Sequence, residues 1–513
     1  MRTIMEHRRH AADFDERVRS LVKNSPWWMT SLVAHLLALL LLAALQVDAG
    51  AREVAARLEA SRPEPEDKPD PQDQVPPEPE SPIEREVETP VLDPTDLAPT
   101  ADPTESEDPA TSGEEGFTTG PYDLNFQNPD IGLRGGRSGG RGPGGGRPGG
   151  GGGKPEDRRT DDAVELALRW LAGHQDVGTD GRWDCDDFMK HDPADDRCDG
   201  AGKAHYDAGV TGLALLAFLG AGYTDRGTEA ENPFTRNVRE GVRYLVGIQD
   251  DEGCFGTRGS QHFMYNHAIA TLAMSEAFWM TRNPRYRKPA QDGLTFLAQA
   301  RNPYLAWRYS VRGGDNDTSV TGWCVMALKS GRFANLDIDP DAFEGARQWI
   351  DRMTDPDTGK VGYLLRGGEV ARPEGMQDRF PADRSESMTS VGLLTRIFLG
   401  EDPCESKPIR DGAALLLRRL PSWNPDDGSI DMYYWYYGTL AMFQVGGEPW
   451  KQWNRAMKSA ILDHQHPRNS GRRTGSWDPL DPWGADGGRV YATAMLCTCL
   501  EVYYRYPRVF PYR

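Results

Sequence analysis

The chain has 513 residues, in which 78 Asp and Glu outweigh 59 Lys and Arg for a formal net charge of -19. So acidic a chain excludes nucleic acid as a partner, because phosphate binding rests on clustered basic side chains. Many of its 56 Gly and 38 Pro crowd into residues 61–155, which leaves one folded domain too large for a simple core unless repeats add a layer each.

Residues 1–26 are a basic N-terminus with Arg2, Arg8, Arg9, Arg17, Arg19 and Lys23, followed at 27–47 by WWMTSLVAHLLALLLLAALQV, which carries no formal charge. That run is long enough to cross ~30 Å of hydrocarbon as one transmembrane helix. The basic flank sets the N-terminus in the cytoplasm and the bulk of the chain in the periplasm or otherwise outside. A cleaved signal peptide is the competing reading, but the run exceeds the ~7–15 apolar residues of such peptides. Ser31 and His35 fall on one face of the span, where a polar pair calls for a partner; a position near the lipid surface is the plain alternative. Ser-x-x-x-His before a Pro/Glu-rich spacer resembles the anchor of TonB-type energy transducers, which implies a proton-driven motor complex as partner.

Residues 48–157 read as a disordered linker, first acidic and Pro-rich, then Gly-rich at 135–153, because neither composition buries enough apolar surface to offset chain entropy. A coil of that length reaches roughly 60 Å. The domain at 158–513 can therefore work away from the membrane.

Within that domain a pattern returns. Trp170-Leu171, Gln175 and Gly181-Arg182-Trp183 are followed by Tyr244-Leu245, Gln249 and Gly253-Cys254-Phe255. Looser copies run from Phe296-Leu297 to Trp307, Trp349-Ile350 to Tyr363 and Leu416-Leu417 to Ile430, and a sixth carries Ala460-Ile461, Gln465 and Gly475-Ser476-Trp477. Each copy reads as a helix that buries its pair and ends in a Gly-containing turn, where the Gln bonds open backbone and the aromatic packs on a neighbour. These residues resemble the QW repeat of the squalene-hopene cyclase and protein prenyltransferase superfamily. The resemblance implies an all-α fold, an (α/α)6 toroid of six helical hairpins.

A second set of segments, at 207–220, 266–280, 317–329, 387–399, 433–444 and 489–504, is richer in Ala, Leu, Val and Gly and reads as the inner ring, buried on most sides. Aligned on Val210-Thr211-Gly212 and Val320-Thr321-Gly322, these helices put Asp207, Asn266, Asp317, Ser387, Tyr433 and Arg489 at one position. The expectation is a polar binding rim at one mouth, its first four members N-caps, with converging helix ends that favour an anion. Capping alone is the structural alternative.

The segment WRYSVRGGDNDTSVTGWCVMAL at 307–328 resembles the cyclase segment in which an Asp-x-Asp-Asp-Thr motif opens an inner helix and its middle Asp protonates an alkene. Here Asn316 takes the donor's place, and an amide cannot protonate an alkene. Asp317 and Asp315 remain as candidate acids. Asp184-Cys185-Asp186-Asp187 fits the motif in the wrong place, directly after a repeat, and Asp184, Asp186 and Asp187 are instead a candidate Ca²⁺ loop; a solvated loop is the alternative. The Asp, Cys and His zinc set of prenyltransferases is not carried onto Asp196, Cys198 and His205, whose spacing differs, so no cofactor is expected. Cys185 and Cys198 flank the acidic loop and are disulfide candidates outside the cytoplasm.

Aromatics beside the inner helices, among them Tyr265, Phe278, Trp279, Trp323, Tyr433 to Tyr437 and Tyr491, either line a chamber or pack the ring. Three functions follow. The first is a membrane-anchored binding or scaffold module for an envelope protein, glycan or lipid. The second is a terpenoid cyclase-like enzyme using Asp317 or Asp315. The third is an (α/α)6 glycan hydrolase or lyase, which needs two carboxylates roughly 5–9.5 Å apart in a cleft, with Asp207 and Asp317 the best pair.

Overall fold

The computed structural model describes residues 155–228, 232–260, 262–502 and 509–510. The span at 27–47 with Ser31 and His35, and nearly all of the linker, lie outside the described residues. Among the described residues no helix is long and apolar enough to cross a membrane.

Among the described residues, twelve α-helices alternate between two roles. The outer set is α1 (Pro155–Gly173), α3 (Thr235–Gly247), α5 (Pro284–Ala300), α7 (Pro340–Met353), α9 (Lys407–Leu417) and α11 (Gly447–Leu462). The inner set is α2 (Asp207–Gly220), α4 (Phe263–Thr281), α6 (Thr318–Phe333), α8 (Ser387–Phe398), α10 (Met432–Val445) and α12 (Gly484–Leu500). Among the described residues there is no β-ladder beyond two isolated bridges. The outer helices bury one stripe only, as α7 does with Ala342, Phe343, Ala346, Trp349, Ile350 and Met353, the i, i+3, i+4 spacing of an amphipathic helix. All of α2 is buried. The inner helices touch in the order α2, α4, α6, α8, α10, α12, and α12 packs back on α2, while α11 and α12 both pack on α1. The six hairpins therefore close into an (α/α)6 ring.

The repeat explains the closure. Gln175 Nε2 donates to the Gly181 carbonyl of its own turn at 2.8 Å and to the Asn237 carbonyl of the next outer helix at 3.0 Å. Gln249 does the same with Gly253 and Pro289, both at 3.0 Å. Gln465 reaches Gly475 at 2.9 Å and, across the seam, Ala163 of α1 at 2.8 Å. The indoles of Trp183, Trp307 and Trp477 donate to the carbonyls of Leu171, Leu297 and Ile461 at 2.7, 2.7 and 2.8 Å, satisfying helix ends that otherwise lack partners. Gly181, Gly253 and Gly475 have φ near +90°, and a Cβ on each would lie 2.4 Å from a carbonyl oxygen of the next outer helix. Glycine is required there by conformation and by space.

The weaker copies use substitutes. Arg301 in the Gln place approaches Asp339 at 3.7 Å, and Thr354 accepts a hydrogen bond from Arg396 at 2.9 Å. The fourth turn is Gly359-Lys360-Val361, because the Val361 amide, and not Tyr363, bonds the next inner helix.

Candidate functional site

The amide of each turn's last residue finds the register of the inner helices. Trp183 N donates to Thr211 Oγ1 at 3.0 Å, Phe255 N to His267 Nδ1 at 3.1 Å, Trp307 N to Thr321 Oγ1 at 3.4 Å, Val361 N to Thr389 Oγ1 at 3.3 Å and Trp477 N to Thr493 Oγ1 at 3.4 Å. These acceptors stand four residues beyond Asp207, Asp317 and Arg489, but one beyond Asn266 and two beyond Ser387. The expected six-residue rim is thus not a single level. Asp317 alone of its four expected N-caps caps a helix with its side chain, accepting from Val320 N at 2.7 Å. Asp207 takes the Cys185 amide at 2.8 Å and Arg182 at 3.2 Å, Asn266 sits inside α4, and Ser387 follows a Glu386 cap position. Arg489, 1% exposed, is spent on Ser476, Asp199 and Asp478.

At the N-terminal ends of the inner helices lies a cavity of about 110 Å³. Gly209, Val210 and Leu213 of α2, Tyr265, Asn266 and Ile269 of α4, Ser319 and Trp323 of α6, Tyr433 of α10, and Asp486, Gly487 and Tyr491 of α12 line it. Tyr206, His262, Tyr309 and Trp483 close it from the connections. Of the rim, only Asn266 and Tyr433 face this space. No Lys or Arg is among the lining residues, so the mouth does not match the expected anion site.

Aromatic rings dominate the wall and fix one another. Trp323 stacks on Tyr436 with centroids 5.4 Å apart, Tyr433 packs on Trp483 at 6.3 Å, and His262 meets Tyr309 edge to face at 4.5 Å. Tyr433 OH and Ser319 Oγ are 2.8 Å apart, and Tyr206 OH and His262 Nδ1 3.1 Å. The five consecutive aromatics divide as helical geometry requires: Tyr433 faces the cavity, while Tyr434 packs on Trp453 of the outer ring. Phe278 and Trp279, near the far end of α4, take no part in the lining.

Of the carboxylates near this wall, one reaches it and the others stand apart. Asp486 lines it and pairs with Lys203. Asp317 is fully buried behind it; Tyr309 OH lies 2.5 Å from Tyr363 OH, which donates to Asp317 Oδ2 at 3.3 Å. Burial pushes the Asp317 carboxyl up to about 7, against the downward pull of the Val320 amide and Arg308. Asp315 lies outside the cavity, its side chain more than half exposed and paired with Arg308. Asn316, where the cyclase segment keeps its acid, is structural: its Oδ1 accepts from Ala306 N at 2.9 Å and Asn302 Nδ2 at 3.1 Å.

In the acidic loop, Asp184 bonds Lys190 Nζ at 2.7 Å and Arg182 at 3.0 Å. Its nearest carboxylate companions are Asp186 and Asp207, with Asp187 outside that group. Cys185 and Cys198, expected as a disulfide, are free buried thiols. Cys185 Sγ faces the Gly487 carbonyl at 3.3 Å and Cys198 Sγ faces His174 at 3.8 Å. Tyr206, His262, Tyr309, Trp483 and Asp486 were not among the expected site residues. All but Tyr309, which follows the turn ending at Trp307, sit just before or in the first turn of an inner helix, and that recurrence is the signal that would have found those four.

The chain matches no family model and no curated protein. Solved structures of low identity to which it is similar include the following three. An inactive variant of an α-1,6-mannanase from a Salegentibacter species, in complex with α-1,6-mannotetrose, shares 10% identity at a TM-score of 0.43, covering 67% of this chain and 98% of that one. A type II terpene cyclase from Scytonema shares 12% at 0.41, with 67% and 97% covered. A cellobiose 2-epimerase from Bacillus thermoamylovorans shares 13% at 0.45, again with 67% and 97% covered.

Proposed function

We propose that the ring is a binding module that holds one apolar group of a lipid, of isoprenoid or similar size, in the aromatic cavity at its mouth, and that the segment at 27–47 anchors it to a membrane. The observation that carries this reading is the mismatch between the wall and the acids: the lining is largely aromatic and aliphatic, while Asp317 is sealed behind it. Aromatic faces and hydroxyl edges suit a small apolar guest oriented by a few polar groups.

Cyclisation needs an acid strong enough to protonate an alkene. A carboxyl raised to about 7 by burial is a weaker acid than a free one, and its chain of tyrosines ends in a hydroxyl that is weaker still. Glycan hydrolysis needs two carboxylates facing one space, and among the described residues Asp486 is the one that lines it. Both observations favour binding over catalysis.

Farnesol titrated into the purified full chain, with tryptophan emission as the signal for Trp323 and Trp483, tests this. Saturable quenching that Ile269→Phe abolishes by filling the cavity is the expected result. Equal quenching by a manno-oligosaccharide, or no saturation, overturns it. Cyclic products from squalene that vanish on Asp317→Asn would restore the cyclase reading.

A further inference from the structure

We propose that His174, Asp192 and Cys198 form a binding site for a borderline-soft divalent metal ion, Zn²⁺ by its chemistry, which staples the seam where the first and sixth hairpins close the ring. All three side chains are buried, and their donor atoms lie within 4.8 Å of one another. They come from one connection: His174 directly follows α1, and Asp192 and Cys198 come later in the loop that leads to α2.

Hydrogen bonding at His174 points to the ion. Nδ1 lies 2.7 Å from the Trp170 carbonyl, which can only accept, so Nδ1 carries a proton. That bond is the second-sphere contact by which metal-bound imidazoles are oriented. Nε2 then faces Asp192 Oδ1 at 3.0 Å and Cys198 Sγ at 3.8 Å. In a neutral ring Nε2 is a lone pair aimed at a carboxylate, two acceptors with nothing between them. Asp192 is itself held in place, because its Oδ2 accepts the Cys198 amide at 2.9 Å. A cation bound by imidazole nitrogen, carboxylate oxygen and thiolate removes the conflict. In tetrahedral Zn²⁺ geometry, bond lengths of ~2.0–2.3 Å put neighbouring donor atoms roughly 3.3–3.6 Å apart, so the 3.0 Å and 3.8 Å separations from Nε2 need shifts of only a few tenths of an ångström. The alternative is a buried imidazolium paired with Asp192.

The surroundings give the ion its task. The Trp170 indole stacks on His174 with centroids 4.2 Å apart and donates to the Arg472 carbonyl at 2.9 Å, and Asp196 accepts the Arg472 amide at 3.0 Å. The ligand-bearing loop is therefore what the last hairpin docks on. Arg472 Nε also stands 3.9 Å from Asp192 Oδ1, on a half-exposed side chain that can swing into solvent when a cation arrives.

The test is a titration of the purified full chain, stripped of metal and kept reduced, with Co²⁺ and then Zn²⁺. One equivalent of Co²⁺ should give a thiolate-to-cobalt charge-transfer band that Zn²⁺ bleaches, and Zn²⁺ should raise the melting temperature. Cys198→Ser should lose the band, and Asp192→Asn should weaken binding by about 100-fold, since even outer partners of metal ligands change affinity by about 10–100-fold. Cys185→Ser, at a buried thiol outside the cluster, should behave as the parent chain. Absence of a stoichiometric band in the parent chain, or its loss in Cys185→Ser with retention in Cys198→Ser, overturns the proposal and leaves the imidazolium pair.

Discussion

Asp481 is a buried carboxyl whose Oδ2 accepts from Tyr491 OH at 3.0 Å and Met432 N at 3.2 Å. Burial, and then the charge of Asp431, push it up to about 7 from an unfolded value near 3.8. A folded value above the unfolded one means that the fold favours the neutral form. The stability it supports is complete below about pH 4 and is lost as pH rises through about 7. Asp317 follows the same sign from the same cause. About 1.4 kcal/mol for each pH unit between the two values sets an upper scale of a few kcal/mol at Asp481. The expected outcome is that the melting temperature falls between pH 5 and pH 8, and that Asp481→Asn, neutral throughout, flattens part of that fall. An unchanged pH profile in the variant would remove Asp481 as its source.

At the scale of one helix, α10 starts where Asp431 Oδ1 accepts the Tyr434 amide at 2.9 Å, while Oδ2 lies 3.1 Å from Arg372, both side chains nearly fully buried. Loss of an N-cap costs ~0.5–2 kcal/mol. Leaving a buried guanidinium unpaired costs ~3–5 kcal/mol. Asp431→Ala should therefore destabilise by roughly 3.5–7 kcal/mol in chemical denaturation, and the double variant Asp431→Ala, Arg372→Met should recover most of the second part. If the double variant is no more stable than the single one, the pair is not what α10 depends on. The same helix carries Tyr433 into the cavity wall, so its first turn also sets the shape of that cavity.

For the molecule as a whole, the ring is closed by contacts between its ends. Gln465 reaches Ala163, a Cβ on Gly475 would strike the Leu166 carbonyl, and α12 packs on α2. A chain ending after Val445 loses all of these and exposes the apolar faces of α1, α2 and α10. Each large side chain so uncovered costs ~1.5–3 kcal/mol. The expected result is loss of a cooperative melt and not a stable arc of five hairpins, since a closed ring has no terminal caps of the kind that open solenoids need. A cooperative transition at the temperature of the full chain would contradict closure.

The number of hairpins and the alternation of outer and inner helices were legible in the chain, because Gln175, Gln249 and Gln465 with their glycines meet needs that are local: a helix end to satisfy and a turn with φ near +90°. The boundaries of α2 and α8 were legible for the same reason. Register was not. Asn266 and Ser387 sit off the level of Asp207 and Asp317, because that level is set by which inner side chain accepts the neighbouring turn's amide, and His267 does so where Thr was the pattern. The aromatic cavity was half legible: Tyr265, Trp323, Tyr433 and Tyr491 were candidates, but an aromatic on an inner helix faces the hollow or the outer ring according to rotation about the helix axis. The cluster of His174, Asp192 and Cys198 depended wholly on tertiary structure. By itself the sequence determined a repeating helical ring and an amide, Asn316, where the cyclase segment it resembles keeps its acid, since both follow from local residue type. Only the closed fold decided which side chains meet across hairpins, because packing sets helix rotation and loop return, and no single segment carries that information.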